Sequence, residues 1–290
     1  MIALLLSIVA STLIFVIFKL FGKYKINTLH AIVVNYFVAC TSGIIAYSEP
    51  VTIGNLPEYP WFIYTIALGA LFIIVFNLMA LTTQRSGLSV VSVATKMSVV
   101  IPIVFGLLYY KESLGIFKII GIVLALMAVY LASIKSKDGL SIQSKNLIFP
   151  ALVFLGSGII DTSIKFLEDT FVAKNDVPLF SATIFASAAS IGVLLLIGQK
   201  IRGTFKFELK NVIAGIVLGV PNYFSVYFLV QALRGDIFDS SDVFTINNVA
   251  IVTLSTFIGI LIFGEKLLPK NWLGIALALA SIILVALAAW

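Results

Sequence analysis

One lysine stands inside a strongly apolar stretch of the chain. Residues 89–106 read SVVSVATKMSVVIPIVFG, and Lys96 lies about two turns from their start. A lysine at the centre of a membrane helix costs about 2.5–3.5 kcal/mol on insertion scales, so its ammonium group needs a partner or a use. We interpret Lys96 as a ligand for an anionic group, and a structural ion pair is the alternative.

Hydroxyl side chains share one face of the helix predicted around Lys96, because residues three or four apart lie on the same side. They are Ser89, Ser92 and Thr95. The matching positions in the second half of the chain are Asp242, Thr245 and Asn248. Each polar stripe could line a cavity for a polar solute, or it could hydrogen-bond neighbouring helices as hydroxyl residues do in membranes.

One acid lies deep within a predicted span. Asp161, in GSGIIDTSIKF, is about fourteen residues into the sixth predicted helix and, like Lys96, lies within about one turn of the membrane midplane. Desolvation disfavours the charged form of both side chains, and pairing opposes that effect. We therefore predict that Lys96 and Asp161 neutralise each other, or that Asp161 carries a proton.

Further polar residues of the spans are candidate ligands: Asn77, Asn222, Lys19 and Lys165. The asparagines could bond a substrate or a neighbouring helix, and the lysines could instead reach the interface by snorkelling. Pro221 is expected to kink helix eight beside Asn222. Glu112 and Glu265, in the turns before helices five and ten, are expected to stabilise the N-termini of those helices.

The elements that position these residues must be membrane helices. Of 290 residues, 61% are hydrophobic and 11% are charged, against about 45–50% and about 25% in soluble domains. A span needs about 20 mostly apolar residues. Ten such runs lie near 2–21, 29–47, 60–82, 88–109, 115–134, 147–167, 178–197, 211–233, 243–263 and 271–290. We predict an all-α membrane protein with ten transmembrane helices.

Composition also excludes several kinds of chemistry. The single cysteine, Cys40, excludes an intrachain disulfide, and the single histidine, His30, excludes multi-histidine metal sites and haem pairs. The sequence has no glycine-rich phosphate-binding loop outside the predicted membrane spans, so we do not expect this chain to use ATP to drive transport. We expect no cofactor, no metal and no nucleic-acid partner; an integral-membrane enzyme is the weaker alternative because clustered catalytic residues are absent.

The basic residues predict the orientation. Loops that join an odd helix to the next even one carry twelve lysines and arginines, and the opposite side carries three. The positive-inside rule therefore places both termini outside, in a multi-pass protein of the plasma or inner membrane. The loop 199–210, QKIRGTFKFELK, alternates basic and apolar residues, which suits an anionic headgroup layer; a simple topology determinant is the favoured alternative.

The two halves of the chain repeat. At an offset of 153 residues, ten of the 28 positions in 99–126 are identical to their counterparts in 252–279. A weaker match at an offset of 146 aligns Lys19 with Lys165. We predict five-helix repeats at 1–134 and 146–290, joined by a cytoplasmic linker at 135–145. Five is an odd number, so the second repeat must be inverted, an arrangement typical of transporters with a central site.

Doubled motifs carry a family resemblance. The first helix of each half ends on a lysine, in FVIFKLF and TSIKFLE; the third helices close with ALTTQRSGLSVVS and QALRGDIFDSS; YKESL and GEKLLP precede the fifth helices. On these motifs the chain resembles the drug/metabolite transporter superfamily, EamA type. The resemblance implies a ten-helix basket whose third and fourth helices help to line a central cavity, and it favours the cavity mouth for Lys19 and Lys165.

These observations predict a secondary transporter of a small polar metabolite, such as an amino acid or another zwitterion or anion, that works by alternating access. A coupling proton or a counter-substrate is left open as a further partner, beside the lipid bilayer, and a monomer is expected. A flippase for a lipid or a lipid-linked sugar is the alternative within the same fold.

Overall fold

The computed structural model describes residues 2–47, 53–109, 115–134, 136–137, 141–142, 147–233 and 240–287. Eleven α-helices lie within these residues: α1 (Ile2–Lys23), α2 (Thr28–Ala46), α3 (Phe62–Ser86), α4 (Leu88–Met97), α5 (Val100–Tyr109), α6 (Ile116–Ser133), α7 (Ile148–Phe171), α8 (Val177–Ile201), α9 (Leu209–Leu233), α10 (Ser240–Leu261) and α11 (Pro269–Leu287). Two 3₁₀ turns and a pair of two-residue antiparallel strands, Ser136–Lys137 and Ser141–Ile142, complete the described elements.

Seven segments of the described chain are long and apolar enough to cross a membrane: α1, α2, α3, the α4–α5 segment Leu88–Gly106, α7, α8 and α9. Shorter apolar stretches lie within the three remaining helices, at Ile119–Ala132, Ile246–Leu261 and Pro269–Val285. Every predicted span therefore corresponds to a helix, except that the fourth is divided into α4 and α5.

The chain forms two compact units, and each takes equivalent helices from both halves of the sequence. The first unit comprises Met1–Leu20, Leu78–Ile159 and Phe224–Trp290, so that it contains α4, α5, α6, α10 and α11. The second comprises Phe21–Asn77 and Ile160–Tyr223, so that it contains α2, α8 and most of α3 and α9.

In the first unit, α6 and α11 pack antiparallel through small residues. A Cβ on Gly121, near the start of α6, would lie 2.6 Å from Val285, near the end of α11. A Cβ on Gly274, near the start of α11, would lie 2.5 Å from the backbone nitrogen of Ala132, near the end of α6. The offset of 153 residues carries one contact onto the other, so α6 and α11 meet through the same pair of positions twice.

In the second unit, α2 and α8 repeat this arrangement. Gly43, near the end of α2, contacts Ala182, and Gly192 on α8 contacts Val33, near the start of α2. An offset of 149 residues relates these two contacts. Small side chains let helix backbones approach closely, which is how helices associate when lipid removes the hydrophobic drive between them.

Candidate functional site

The fourth span is broken beside Lys96. Helix α4 ends at Met97 and α5 begins at Val100. Pro102 has no N–H to donate to the carbonyl four residues earlier, which is that of Ser98. That carbonyl instead accepts from the N–H of Ile101 at 2.9 Å, and the Ser98 hydroxyl donates to the carbonyl of Thr95. The position of Pro102 accounts for the break, and the carbonyl that the proline leaves without its usual donor is satisfied by the N–H of Ile101.

Lys96 lies half-buried in the last turn of α4. The C-terminal end of a helix carries partial negative charge, which stabilises a cation there. Lys96 also has an interaction partner within the protein, as does Asp161. The break thus supplies part of the stabilisation that a lysine inside a membrane span requires.

Thr95 and Ser92 differ in how their hydroxyls are used. The Ser92 hydroxyl is buried and donates to the carbonyl of Ser89 at 3.0 Å, one turn earlier. The Thr95 hydroxyl is also buried, but it has no hydrogen-bond partner among the described residues. A buried polar group without a partner costs about 1–3 kcal/mol. Among the described residues, Thr95 is therefore the member of this stripe whose hydroxyl has no hydrogen-bond partner.

The start of α4 is held by a carboxylate from a distant part of the sequence. The backbone N–H of Leu88 donates to Glu265 Oε1 at 2.8 Å, and the Ser89 hydroxyl lies 3.4 Å from Glu265 Oε2. A carboxylate at a helix N-terminus interacts favourably with the partial positive charge of that end. The sequence predicted that Glu265 stabilises the N-terminus of the tenth predicted helix, which is α11. That prediction is wrong, because the Glu265 carboxylate lies at the start of α4. At the start of α11, Asn271 Oδ1 accepts a hydrogen bond from the N–H of Leu268.

Lys19 completes this cluster. Its Nζ lies 3.2 Å from Glu265 Oε1 and 3.3 Å from the carbonyl of Thr83, and its side chain is 23% exposed against 10% for Glu265. Gly87 precedes α4 with φ of +113°, and a Cβ there would lie 2.7 Å from the carboxylate of Glu265. Glycine is thus required both by the backbone conformation and by the space that Glu265 fills. Glu112, the counterpart of Glu265, lies outside the described residues.

The second stripe lies on α10, and only part of it can be described. Asn248 is half-buried, whereas the side chains of Asp242 and Thr245 lie outside the described part of the structure. The neighbouring Asn247 is buried and accepts from the Ser7 hydroxyl at 3.3 Å. That hydroxyl lies 2.9 Å from the carbonyl of Ser225 as well. Asn247 therefore bonds α10 to α1, while Asn248 lies on a different side of the helix.

Asn222 is bonded to a neighbouring helix in the second unit. Its Nδ2 donates to Asn35 Oδ1 on α2 at 3.1 Å, and both side chains are buried. Pro221 lies inside α9, which continues to Leu233. Among the described residues Asn35 Nδ2 has no hydrogen-bond partner. The contact between the two amides favours the interpretation of Asn222 as a link between helices.

The remaining candidates are more exposed. Asn77 is half-buried on α3, and its Nδ2 donates to the carbonyl of Ile73 at 2.7 Å, one turn earlier on the same helix. Asp161 and Lys165 are both exposed on α7, four residues apart. An exposed carboxylate in the middle of a membrane span is expected to face water or protein, because hydrocarbon disfavours the charge.

Comparison with known proteins supplies the family. Residues 1–134 match the EamA-like transporter family. An uncharacterised protein of Haemophilus influenzae is 31% identical over 298 residues, which cover 96% of this chain and 95% of the relative. The chain belongs to the EamA-like transporter family. A crystal structure of another protein superposes with a TM-score of 0.61 at 15% identity, over 99% of this chain and 97% of that one, and so shares its fold.

Family membership and the seven apolar spans make this EamA-like protein an integral membrane protein. Three features of its site were not predicted from the sequence: the break at Ser98–Val99, the carboxylate at the start of α4, and the Asn35–Asn222 pair. Only the break had a usable signal, since Pro102 stands four residues after Ser98. The two long-range contacts join residues 177 and 187 positions apart, and no local pattern marks them.

Proposed function

We propose that this EamA-like protein is a secondary transporter that moves a small polar metabolite, an anion or a zwitterion such as an amino acid, by alternating access. One observation carries the proposal: the fourth span is broken next to Lys96, a half-buried cation inside a membrane helix. Transporters commonly build substrate sites near the membrane midplane, where their helices are discontinuous.

In this proposal Lys96 holds the anionic group of the substrate, because an ammonium group attracts an anion of opposite charge. Thr95 orients the substrate with its hydroxyl, which has no partner among the residues that the structure describes. Thr245 and Asn248 contribute from α10, and Asp161 balances charge or carries a proton, as the sequence suggests. The contacts of Asn222 and Lys19 favour positioning roles for these two residues over direct substrate contact.

We further propose that the two halves are inverted repeats around a central cavity. The antiparallel packing of α6 on α11, the fifth helices of their halves, supports this, because each would cross the membrane in the opposite sense. The symmetric contacts Gly121–Val285 and Gly274–Ala132 support a two-fold relation between them. Both termini lie outside in this proposal. To test this, Cys40 is replaced and single cysteines are placed at 135–145 or at 50–58. Intact cells are then labelled with an impermeant thiol reagent.

The substrate is sought by thermal shift of purified protein against metabolite pools. A ligand present at 100 times its Kd should add about 2.7 kcal/mol of stability. Any hit is then tested for uptake into proteoliposomes with wild type, Lys96→Met and the exposed-lysine control Lys266→Gln. We expect transport by wild type and the control only. Stabilisation by lipid-linked sugars alone, with no uptake of water-soluble compounds, would contradict the proposal and favour a flippase.

A further inference from the structure

Two loops of the second unit meet at one end of α2, α8 and α9. The ring of His30, near the start of α2, hydrogen-bonds through Nε2 to Gln199 Oε1 at 3.0 Å. The same ring stacks on Phe205 with centroids 5.0 Å apart. The N–H of Asn27 donates to Asn211 Oδ1 at 2.9 Å. These contacts join the loop before α2 to the loop between α8 and α9, so the two loops present one continuous surface.

The longer loop is held in a defined shape where α8 ends. The N–H of Thr204 donates to the carbonyl of Gln199 at 2.9 Å, and the N–H of Gly203 donates to that of Lys200 at 3.0 Å. Gly203 adopts a φ of +68°, the left-handed conformation that this pair of hydrogen bonds requires. The side chains that follow are therefore presented from an ordered turn.

The surface is strongly basic. Its exposed cations are Lys23, Lys25, Lys200, Arg202, Lys206 and Lys210. Within these two loops the one carboxylate is Glu208, which lies 3.1 Å from the ammonium group of Lys210. A positive excess therefore remains on the surface after this pairing.

Large apolar side chains lie exposed between the cations. They are Tyr24 (61% exposed), Ile201 (82%), Phe207 (70%) and Leu209 (63%). Residues 23–25 and 200–210 together form what we call the basic-aromatic face. The face lies where three membrane helices end, which places it at the level of lipid headgroups.

We propose that the basic-aromatic face binds anionic phospholipids of the leaflet in which α2, α8 and α9 end. Cations at this level attract phosphate-bearing headgroups, while apolar and aromatic side chains enter the boundary with the acyl chains. A soluble anion would engage the cations but leave the exposed phenylalanine, isoleucine and leucine in water. The alternation of the two residue types therefore favours a lipid surface, and this inference does not depend on Lys96 or on the transported substrate.

The test uses the full-length protein purified in a neutral detergent and titrated with phosphatidylglycerol or phosphatidylcholine, with melting temperature and native mass spectrometry as readouts. Arg202→Gln/Lys206→Gln removes two cations from the face. Lys266→Gln/Lys270→Gln removes two exposed cations, one in the turn before α11 and one in the first turn of α11, and is the matched control. We expect phosphatidylglycerol to stabilise wild type and control, and the face variant to bind it about tenfold more weakly. Added salt should weaken the binding.

A second variant, Phe207→Ser, keeps every cation and should also weaken phosphatidylglycerol binding, because an apolar contact with the bilayer is lost. Equal binding by wild type and both face variants would overturn the proposal, as would equal loss in the control. A shift of the same size with inorganic phosphate alone would overturn the assignment to lipid. If the double variant melts lower without lipid, Lys206→Gln alone makes the same comparison with one exposed charge.

Discussion

The fourth span of the first half and its counterpart in the second half present polar stripes on two different backbones. The first is broken between α4 and α5, whereas α10 is continuous from Ser240 to Leu261. Pro102 and Ser255 occupy the matching position, and only the proline lacks an N–H for the preceding turn. The interruption therefore occurs in the span that carries the proline.

The cation occurs in the half whose fourth span is interrupted. Lys96 lies in the last turn of a short helix, whose carbonyl end favours a positive charge. Its counterpart is Val249, in the interior of α10. A lysine at 249 would have no helix terminus near it, so the break and the charge belong together.

The variants with the largest expected effect test whether Lys96 is a substrate ligand or half of a structural ion pair. Lys96→Met should fold, lose little stability and weaken substrate binding by about a hundredfold, because the anion loses its counter-charge. Asp161→Asn and the double variant are made alongside, and binding is measured by calorimetry with stability from chemical denaturation. The double variant should be as inactive as Lys96→Met.

A structural pair would give the opposite pattern. Each single variant would then lose about 3–5 kcal/mol of stability, because a charge is left without its partner. The double variant would regain both stability and transport, and that rescue would show that Lys96 is not a substrate ligand.

Adding a proline to α10, or removing the proline from α5, should have the next largest effect. Ser255→Pro places a proline in the interior of α10 and should cost about 3 kcal/mol of folding free energy. Pro102→Ala restores an N–H near an existing helix start and should cost less than about 1 kcal/mol. Denaturation of both variants in the same detergent checks the comparison; equal costs would mean that the break does not depend on Pro102.

The carboxylate at the start of α4 has no described counterpart at α10 and should matter for stability more than for substrate affinity. Glu265→Gln should lower the free energy of unfolding by about 1–3 kcal/mol, because charged hydrogen bonds to Lys19 and to Leu88 N–H are weakened. The exposed Glu58→Gln is the control and should change it by less than about 0.5 kcal/mol. If neither variant changes the free energy of unfolding, Glu265 does not stabilise the start of α4.

The smallest expected effect concerns the two stripes themselves. Thr95→Val and Asn248→Leu should each lower transport about tenfold with nearly normal folding, because each removes about one hydrogen bond to the substrate. Thr183→Val is the matched control, since its buried hydroxyl donates to the carbonyl of Leu179 on its own helix. Unfolding of the stripe variants, with full transport by the folded fraction, would mean that the stripes only join helices.

The sequence allowed the helices to be located well, because about 20 apolar residues in a row have few alternatives in a membrane. All ten predicted spans correspond to helices, and the family assignment is confirmed. The division of the fourth span was missed because its apolar run is continuous in hydropathy. Hydropathy indicates whether a helix lies in lipid or in water, whereas a proline indicates where the backbone hydrogen bonds of the helix are interrupted.

Candidate side chains were harder to interpret, because a polar residue in an apolar run has the same signature whether it binds a substrate or another helix. Asn222 faces Asn35, and Asn247 accepts from Ser7, whereas the Thr95 hydroxyl has no partner among the described residues. The partner decides the role, and partners lie far away in sequence. The substrate contacts, the repeat boundaries and the Lys96–Asp161 pair remain predictions.

The paired contacts between α6 and α11 have the form of an isologous interface, in which position i meets position j and j meets i. Such an interface is what two identical chains use to dimerise. On the repeat hypothesis proposed above, the chain corresponds to two covalently joined subunits. Two polypeptides produced by cutting within 135–145 should then reassociate when expressed together, because their mutual recognition lies in the helices and not in the covalent link.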